Sequence, residues 1–360
     1  MNKDRIEYID IAKGIGMLAV IFGHIMLSGN GFVLAYAFDM PLFIFLSGLV
    51  FNKEKYPKFK TFVISRSKSL LLPYVIFSVV TWALWAALSY VTHKDVISYF
   101  NPLLQTVIAQ GSGQYFVHNY PLWFPTFLFL LEIIYYFVCK TPKIINTIIC
   151  ILLAVVGFFM IQPNDFFDFT LLPWSIEAVL RAIIFYALGN MFTSKFGTQK
   201  ISAFINGKKV IAFIVWITST ALFVICAIYN GAVSIGSNIY GKSNILFYIV
   251  SVFGIISAIL CSAFLEYINK RHSFKALSFI KWIGRNSFFF MAIHKPVSGI
   301  VNLVLVFMES RFNLHFLSNI SYNYIPSIIS WVLSVIGTSI SVLVLNFLLN
   351  NIKKLNKQKT

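Results

Sequence analysis

The sequence predicts an all-α integral membrane protein of about ten transmembrane helices with both termini in the cytoplasm. Three observations carry this: composition, the length of the apolar runs, and the placement of Lys and Arg. Of 360 residues, 58% are hydrophobic and only 11% charged, well beyond what a soluble domain needs. Runs of roughly 18 to 25 apolar residues, enough to cross about 30 Å of hydrocarbon, recur along the whole chain. Basic residues then alternate from side to side, as retention of positive loops in the cytoplasm demands.

The expected spans lie near 8–28, 32–52, 70–91, 122–139, 144–162, 175–193, 210–229, 245–266, 283–308 and 326–349. The first follows a short polar start without a small-residue cleavage site, so it is expected to be retained. When connections are taken alternately, 22 of the 29 Lys and Arg fall on the side of the termini and only Lys94, Lys242 and Arg311 on the other. That collar is suited to fixing topology and to attracting anionic lipids. No segment between spans is long enough to bury its own core, so residues 1–360 are expected to form one membrane domain with no fused soluble domain. Without such a module, nucleic acid is not an expected partner. Cys139, Cys150, Cys226 and Cys261 lie in or at the ends of apolar runs without CxxC or CxxH spacing, which speaks against a disulfide framework and against a metal site.

Four basic residues fall inside or at the margins of spans: Lys13, Arg181, Arg285 and Lys295. Ionisable groups in that position are costly and mark functional sites. The first span is the most informative. A helix advances about 100° and 1.5 Å per residue, so Lys13 and His24 share one face and stand about 16 Å apart along the axis. Asp10 lies close to the same line, at i, i+3 from Lys13, where the two can neutralise each other. Met17 and Ser28 continue the stripe, and Gly14, Gly16 and Gly23 allow close approach of another helix or a slender ligand. Lys13 can snorkel to the interface; His24, about 24 Å from Tyr8 by the same helical rise, cannot reach back. An imidazole there suits proton abstraction from an alcohol near neutral pH. A lysine near the cytoplasmic mouth suits a phosphate. A long, thin cofactor arm such as that of coenzyme A fits between them.

These residues resemble the acyltransferase family 3 membrane proteins, and more closely a compact branch that looks like fucose 4-O-acetylase. The hallmark is a basic residue, ten intervening residues and His, matched by Lys13-GIGMLAVIFG-His24 after Asp10. "MPLFIFLSGLVF" (40–51) is similar to the family's phenylalanine-rich run ending in Ser-Gly, and "RSKSLLLPY" (66–74) to its Arg-containing entrance to the third span. "LWFPTFLFLLEIIYY" (122–136), "RAIIFYALGNMF" (181–192) and "WIGRNSFFFMAIHKP" (282–296) resemble further segments, so the likeness covers nearly the whole chain. Two departures stand out: Lys13 occupies a place where many members have Arg, and no esterase-like domain is expected after the last span.

The resemblance implies a membrane O-acetyltransferase that moves an acetyl group from cytoplasmic acetyl-CoA to a sugar hydroxyl of a surface or lipid-linked polysaccharide in the cell membrane. It casts His24 as general base or acyl carrier with Asp10 beside it, Lys13, Arg66 and Arg285 as ligands of the coenzyme, and no metal. Ser47, Asp39, Arg181, Ser287 and His294 are the further site-lining candidates. Glu177 and Arg181, at i, i+4, are expected to pair; Asp39 is expected to find a partner such as His24 or Lys295; Glu132 has none on its own helix. A Lys295-Pro296 kink is expected to re-satisfy its freed carbonyl within the bundle. The other function such residues allow is a secondary transporter or glycan exporter with His24 and buried acids as proton relay, although the paired broken helices of inverted repeats are not evident.

Overall fold

A computed structural model of the chain describes residues 6–93, 96, 98–111, 117–160, 172–317 and 321–358. The long helices are α1 (Glu7–Ile25), α2 (Gly29–Val50) and α3 (Phe59–Val91), the last continuous through one π turn at Ser67–Leu71. A short α4 (Asn101–Ile108) precedes α5 (Trp123–Val138), α6 (Lys143–Phe159) and α7 (Ile176–Phe196). There follow α8 (Lys200–Gly207), α9 (Lys209–Asn230), a two-stranded hairpin of β1 (Val233–Ser234) and β2 (Ile239–Tyr240), and α10 (Asn244–Asn269). The chain closes with α11 (Lys275–Arg285), α12 (Ser287–Phe312) and α13 (Tyr324–Gln358). The hairpin is antiparallel, with Val233 opposite Tyr240 and Ser234 opposite Ile239.

Among the described residues nine helices are long and apolar enough to cross a membrane, and α6 adds a shorter apolar helix of 17 residues. This α6 is the expected span 144–162; residues 161 and 162 lie outside the described residues. Two boundaries differ from expectation. The third span begins inside the basic loop, at Phe59, so Arg66 is part of a helix rather than of a connection. The ninth begins at Ser287 instead of 283: Asn286 leaves helical geometry (φ −106°, ψ 18°), and α11 is a separate amphipathic helix. Its Leu277 and Ile283 are buried while Lys275, Ser278 and Phe279 are exposed, the one-sided pattern of a helix lying against a bundle.

The bundle is organised around α1 and α2. The first packs on α2, α10 and α11; the second packs also on α7 and α10, while α6 covers α7, α9 lies on α10, and α12 pairs with α13. Glycines set the closest of these approaches. A Cβ at Gly48 would lie 2.0 Å from the Tyr186 carbonyl oxygen, and one at Gly284 would lie 1.8 Å from that of Asp10. Small residues of this kind let backbones touch where lipid offers no hydrophobic drive for association.

Pro41, inside α2, and Pro296, inside α12, shape the centre. Each removes an N–H and frees the carbonyl four residues earlier. For Pro41 that is Ala37, whose oxygen accepts a hydrogen bond from Ser251 Oγ at 3.2 Å; for Pro296 it is Ala292, served by Asn119 Nδ2 at 2.8 Å. The freed carbonyl is thus re-satisfied from elsewhere in the bundle, as hydrocarbon depth requires.

Candidate active site

The face of α1 that carries Lys13, Met17, Val20 and His24 walls a line of three adjoining cavities. The first, of about 1040 Å³, opens at the end of α1 that holds Asp10 and Lys13 and is lined by Asn52, Lys53, Lys143, Asn146, Thr193 and other polar groups. The second, of about 420 Å³, shares Lys13 with the first. It is walled mostly by apolar side chains, with Ser47, Arg66, Glu132 and Ser287 among them. The third, of about 290 Å³, shares Val20, Met40, Phe124 and Met291 with the second and holds His24, Tyr36, Asp39 and Tyr120. Ser234, Gly236 and Ile239 of the hairpin segment form part of its wall.

At the first cavity, Asp10 is buried and accepts a hydrogen bond from Arg285 Nε at 3.0 Å, and Lys281 reaches Glu7 at 3.2 Å. The expected neutralisation of Asp10 by Lys13 therefore has a competitor from α11, which sequence spacing along one helix cannot show. At the second cavity, Arg66 grips Glu132 through Nε and Nη2 in a bidentate ion pair, with Glu132 buried. This supplies the partner that Glu132 lacks on its own helix, and leaves Nη1 of the guanidinium toward other acceptors. Ser47 returns its hydroxyl to the Phe43 carbonyl at 2.8 Å.

The third cavity is the most elaborate. His24 is half-buried near the end of α1, and its Nδ1 lies 2.7 Å from Tyr36 Oη and 2.8 Å from Tyr120 Oη. Gly23 makes this possible: a Cβ there would stand 2.6 Å from the Tyr36 ring. On its face His24 carries the ring of His294, parallel within 10° at a centroid distance of 5.1 Å. His294 is fully buried, and its Nδ1 lies 2.9 Å from the Phe290 carbonyl, which only accepts, so that nitrogen bears the proton. Its Nε2 has no hydrogen-bond partner among the described residues. Asp39 is buried with Oδ1 accepting from the Met40 N–H, and among the described residues it makes no ion pair with His24 or Lys295, contrary to expectation. Lys295 lies over the Tyr120 ring at 5.1 Å.

Of the expected site residues, the structure brings Asp10, Lys13, Ser47, Arg66, Ser287, Asp39 and His24 to the walls of this line of cavities, with Arg285 bound to Asp10 and His294 stacked behind His24. Arg181 lies apart, and lines none of the three cavities. Its Nε donates to the Gly157 carbonyl at 2.8 Å, its Nη1 to Asn238 Oδ1 at 3.0 Å, and its plane lies between the rings of Phe158 and Tyr240. The expected Glu177–Arg181 pair is bridged instead, since Asn238 Nδ2 donates to Glu177. Neither Tyr36 nor Tyr120 is among the site residues the sequence singles out. The signal for Tyr36 is its i, i+3 spacing from Asp39 on α2.

The family model for an acyltransferase domain matches residues 6–350 of the chain. The chain belongs to acyltransferase family 3. No curated protein and no solved structure matches it significantly. Membership makes it a multi-pass membrane acyltransferase, and gives the family's chemistry, rather than transport, as the frame for the cavities along α1.

Proposed function

We propose that this acyltransferase is an O-acetyltransferase that takes acetyl-CoA from the cytoplasm and acetylates a sugar hydroxyl of a surface or lipid-linked glycan in the cell membrane. The observation that carries the reading is the line of cavities from Lys13 to His24 along one face of α1. Its wide polar end, with Lys13, Lys53 and Lys143 on the wall, suits a polyanionic nucleotide head. The narrower middle suits the pantetheine arm, and about 16 Å of helical rise separates Lys13 from the imidazole that would meet the thioester. The excess of Lys and Arg at the termini and alternate loops supports placing the wide end and both termini in the cytoplasm. Arg66 contributes a donor to the middle cavity but little net charge, because Glu132 neutralises it.

In this reading His24 Nε2 takes the proton of the acceptor hydroxyl as its oxygen attacks the thioester carbonyl carbon. The C–S bond then breaks, the thiolate leaves, and the imidazolium returns the proton to sulfur. The acetyl ester and coenzyme A thiol are the products. His24→Ala is expected to abolish acetyl transfer in protein that still folds and binds acetyl-CoA; unchanged turnover refutes the assignment. Binding of acetyl-CoA to protein in nanodiscs should weaken roughly 10- to 100-fold on Lys13→Ala, the range of one charge-assisted hydrogen bond. Dephospho-coenzyme A should show a comparable loss. Saturable binding indifferent to both changes would remove the cofactor from the α1 line.

A further inference from the structure

The contacts of His24 say more than that it faces a cavity. A ring nitrogen has one in-plane position, filled by either a proton or a lone pair, yet two phenol oxygens, 2.7 and 2.8 Å away, converge on Nδ1. Behind them, one turn along α2 from Tyr36, the Asp39 carboxylate lines the same chamber and is paired with no cation among the described residues. The other charged and titratable neighbours are His294 on the face of the imidazole and Lys295 over the Tyr120 ring. A lone pair on Nδ1 accepts from only one phenol, and the second, whose hydroxyl is hydrogen-bonded to the first, then donates to that oxygen, so neither proton serves the carboxylate. A proton on Nδ1, shared by the two oxygens, lets the phenol protons point outward toward negative charge, the arrangement the carboxylate favours.

We propose that Tyr36 and Tyr120, backed by Asp39, are positioning residues that hold His24 in the tautomer protonated at Nδ1, which leaves the Nε2 lone pair for the substrate. The other nitrogen's hydrogen bond decides which ring atom is basic. The assignment rests on the reading of His24 as base for its catalytic consequence alone; the tautomer is a property of the resting protein. Gly23 belongs to the same device, because its bare Cα makes room for the Tyr36 ring.

The test is nitrogen NMR of the full chain, labelled with ¹⁵N-histidine and held in lipid. The protein has six histidines, so the His24 signals are identified as those lost in His24→Gln. The expected spectrum has a protonated-type Nδ1 and an unprotonated-type Nε2 for His24. Tyr36→Phe with Tyr120→Phe should move a majority of molecules to the Nε2-protonated form and lower kcat at least tenfold, with the KM for acetyl-CoA little changed. Each single variant removes one oxygen and should give a partial shift, which keeps the test open if the double variant does not fold. An Nε2-protonated wild type, or variants with an unaltered tautomer, overturns the proposal. Loss of turnover in His24→Ala alongside such a spectrum would leave the transferase reading standing, whereas the expected spectrum with full turnover in His24→Ala would sink that reading and keep the positioning device.

Discussion

Replacing Gly284 by Ala should loosen the mouth of the first cavity. A Cβ at that position would lie 1.8 Å from the Asp10 carbonyl oxygen, whereas carbon and oxygen in contact need about 3.3 Å, so the end of α11 must retreat by about 1.5 Å. The Arg285–Asp10 bond, now 3.0 Å, would stretch to about 4.5 Å, outside the 4 Å range of an ion pair. Overpacking of this kind costs about 1–3 kcal/mol, of which the helical preference of Ala over Gly returns about 0.5–1 kcal/mol. Gly299 is the built-in control: it lies on α12 and a Cβ there meets nothing within 4 Å, so Gly299→Ala should stabilise by about 0.5–1 kcal/mol. Thermal unfolding of both variants in the same lipid, with acetyl-CoA binding measured alongside, decides the matter. Gly284→Ala should unfold at lower temperature and bind the donor more weakly, and Gly299→Ala should do neither. Equal shifts of the same sign would refute the steric account.

Ser251→Ala should cost about 0.6 kcal/mol and at most about 1.7 in wild-type background, and nothing in Pro41→Ala, where the restored N–H takes over the Ala37 carbonyl; a double-mutant cycle of unfolding free energies reads this directly. Glu132→Gln should destabilise by about 3 kcal/mol, the low end for stranding one member of a buried ion pair because Arg66 retains some exposure, while Arg66→Met with Glu132→Leu should cost less than either single change by the same unfolding assay. Burial pushes the His118 imidazole down to about 4 from its ordinary value of about 6.5. The unfolded segment therefore binds a proton that the folded one refuses between those values. The stability contributed here is complete above about pH 6.5; below it the folding equilibrium constant falls roughly tenfold per pH unit and levels off below about pH 4. Hydrogen exchange of residues 117–122 should show that acid loss, and His118→Gln should flatten it.

What could be read from the sequence is what lies along one helix. Lys13 and His24 came to one face, and to a common line of cavities, because helical rise and twist fix their relation without knowledge of any neighbour. The contacts between helices were not legible. Arg66 and Glu132 are separated by 66 residues, and no local spacing hints at their meeting. The i, i+4 rule pairs Glu177 with Arg181, but Asn238 from the hairpin segment bridges them. Arg285 falls in the expected ninth span because the apolar run continues across Asn286, where the backbone breaks, and so joins an amphipathic helix to an apolar one. Tyr120 shows the limit for aromatics: its depth is that of an interfacial anchor, and only its hydrogen bond to His24 separates that role from the site.

The relief of the two prolines has a bearing on the order in which the chain is built. Pro41 is made early, but the hydroxyl that caps its freed carbonyl arrives 214 residues later, on α10. Pro296 reverses the timing: Asn119 is waiting 173 residues before the carbonyl it will serve. During synthesis α2 therefore spends most of the chain's translation with one carbonyl that must find water or a temporary neighbour, and its final partner arrives only with α10. The chamber around His24 is then among the last parts of the protein to take its final form, and a chain truncated before Ser251 would enter the membrane with that chamber unfinished.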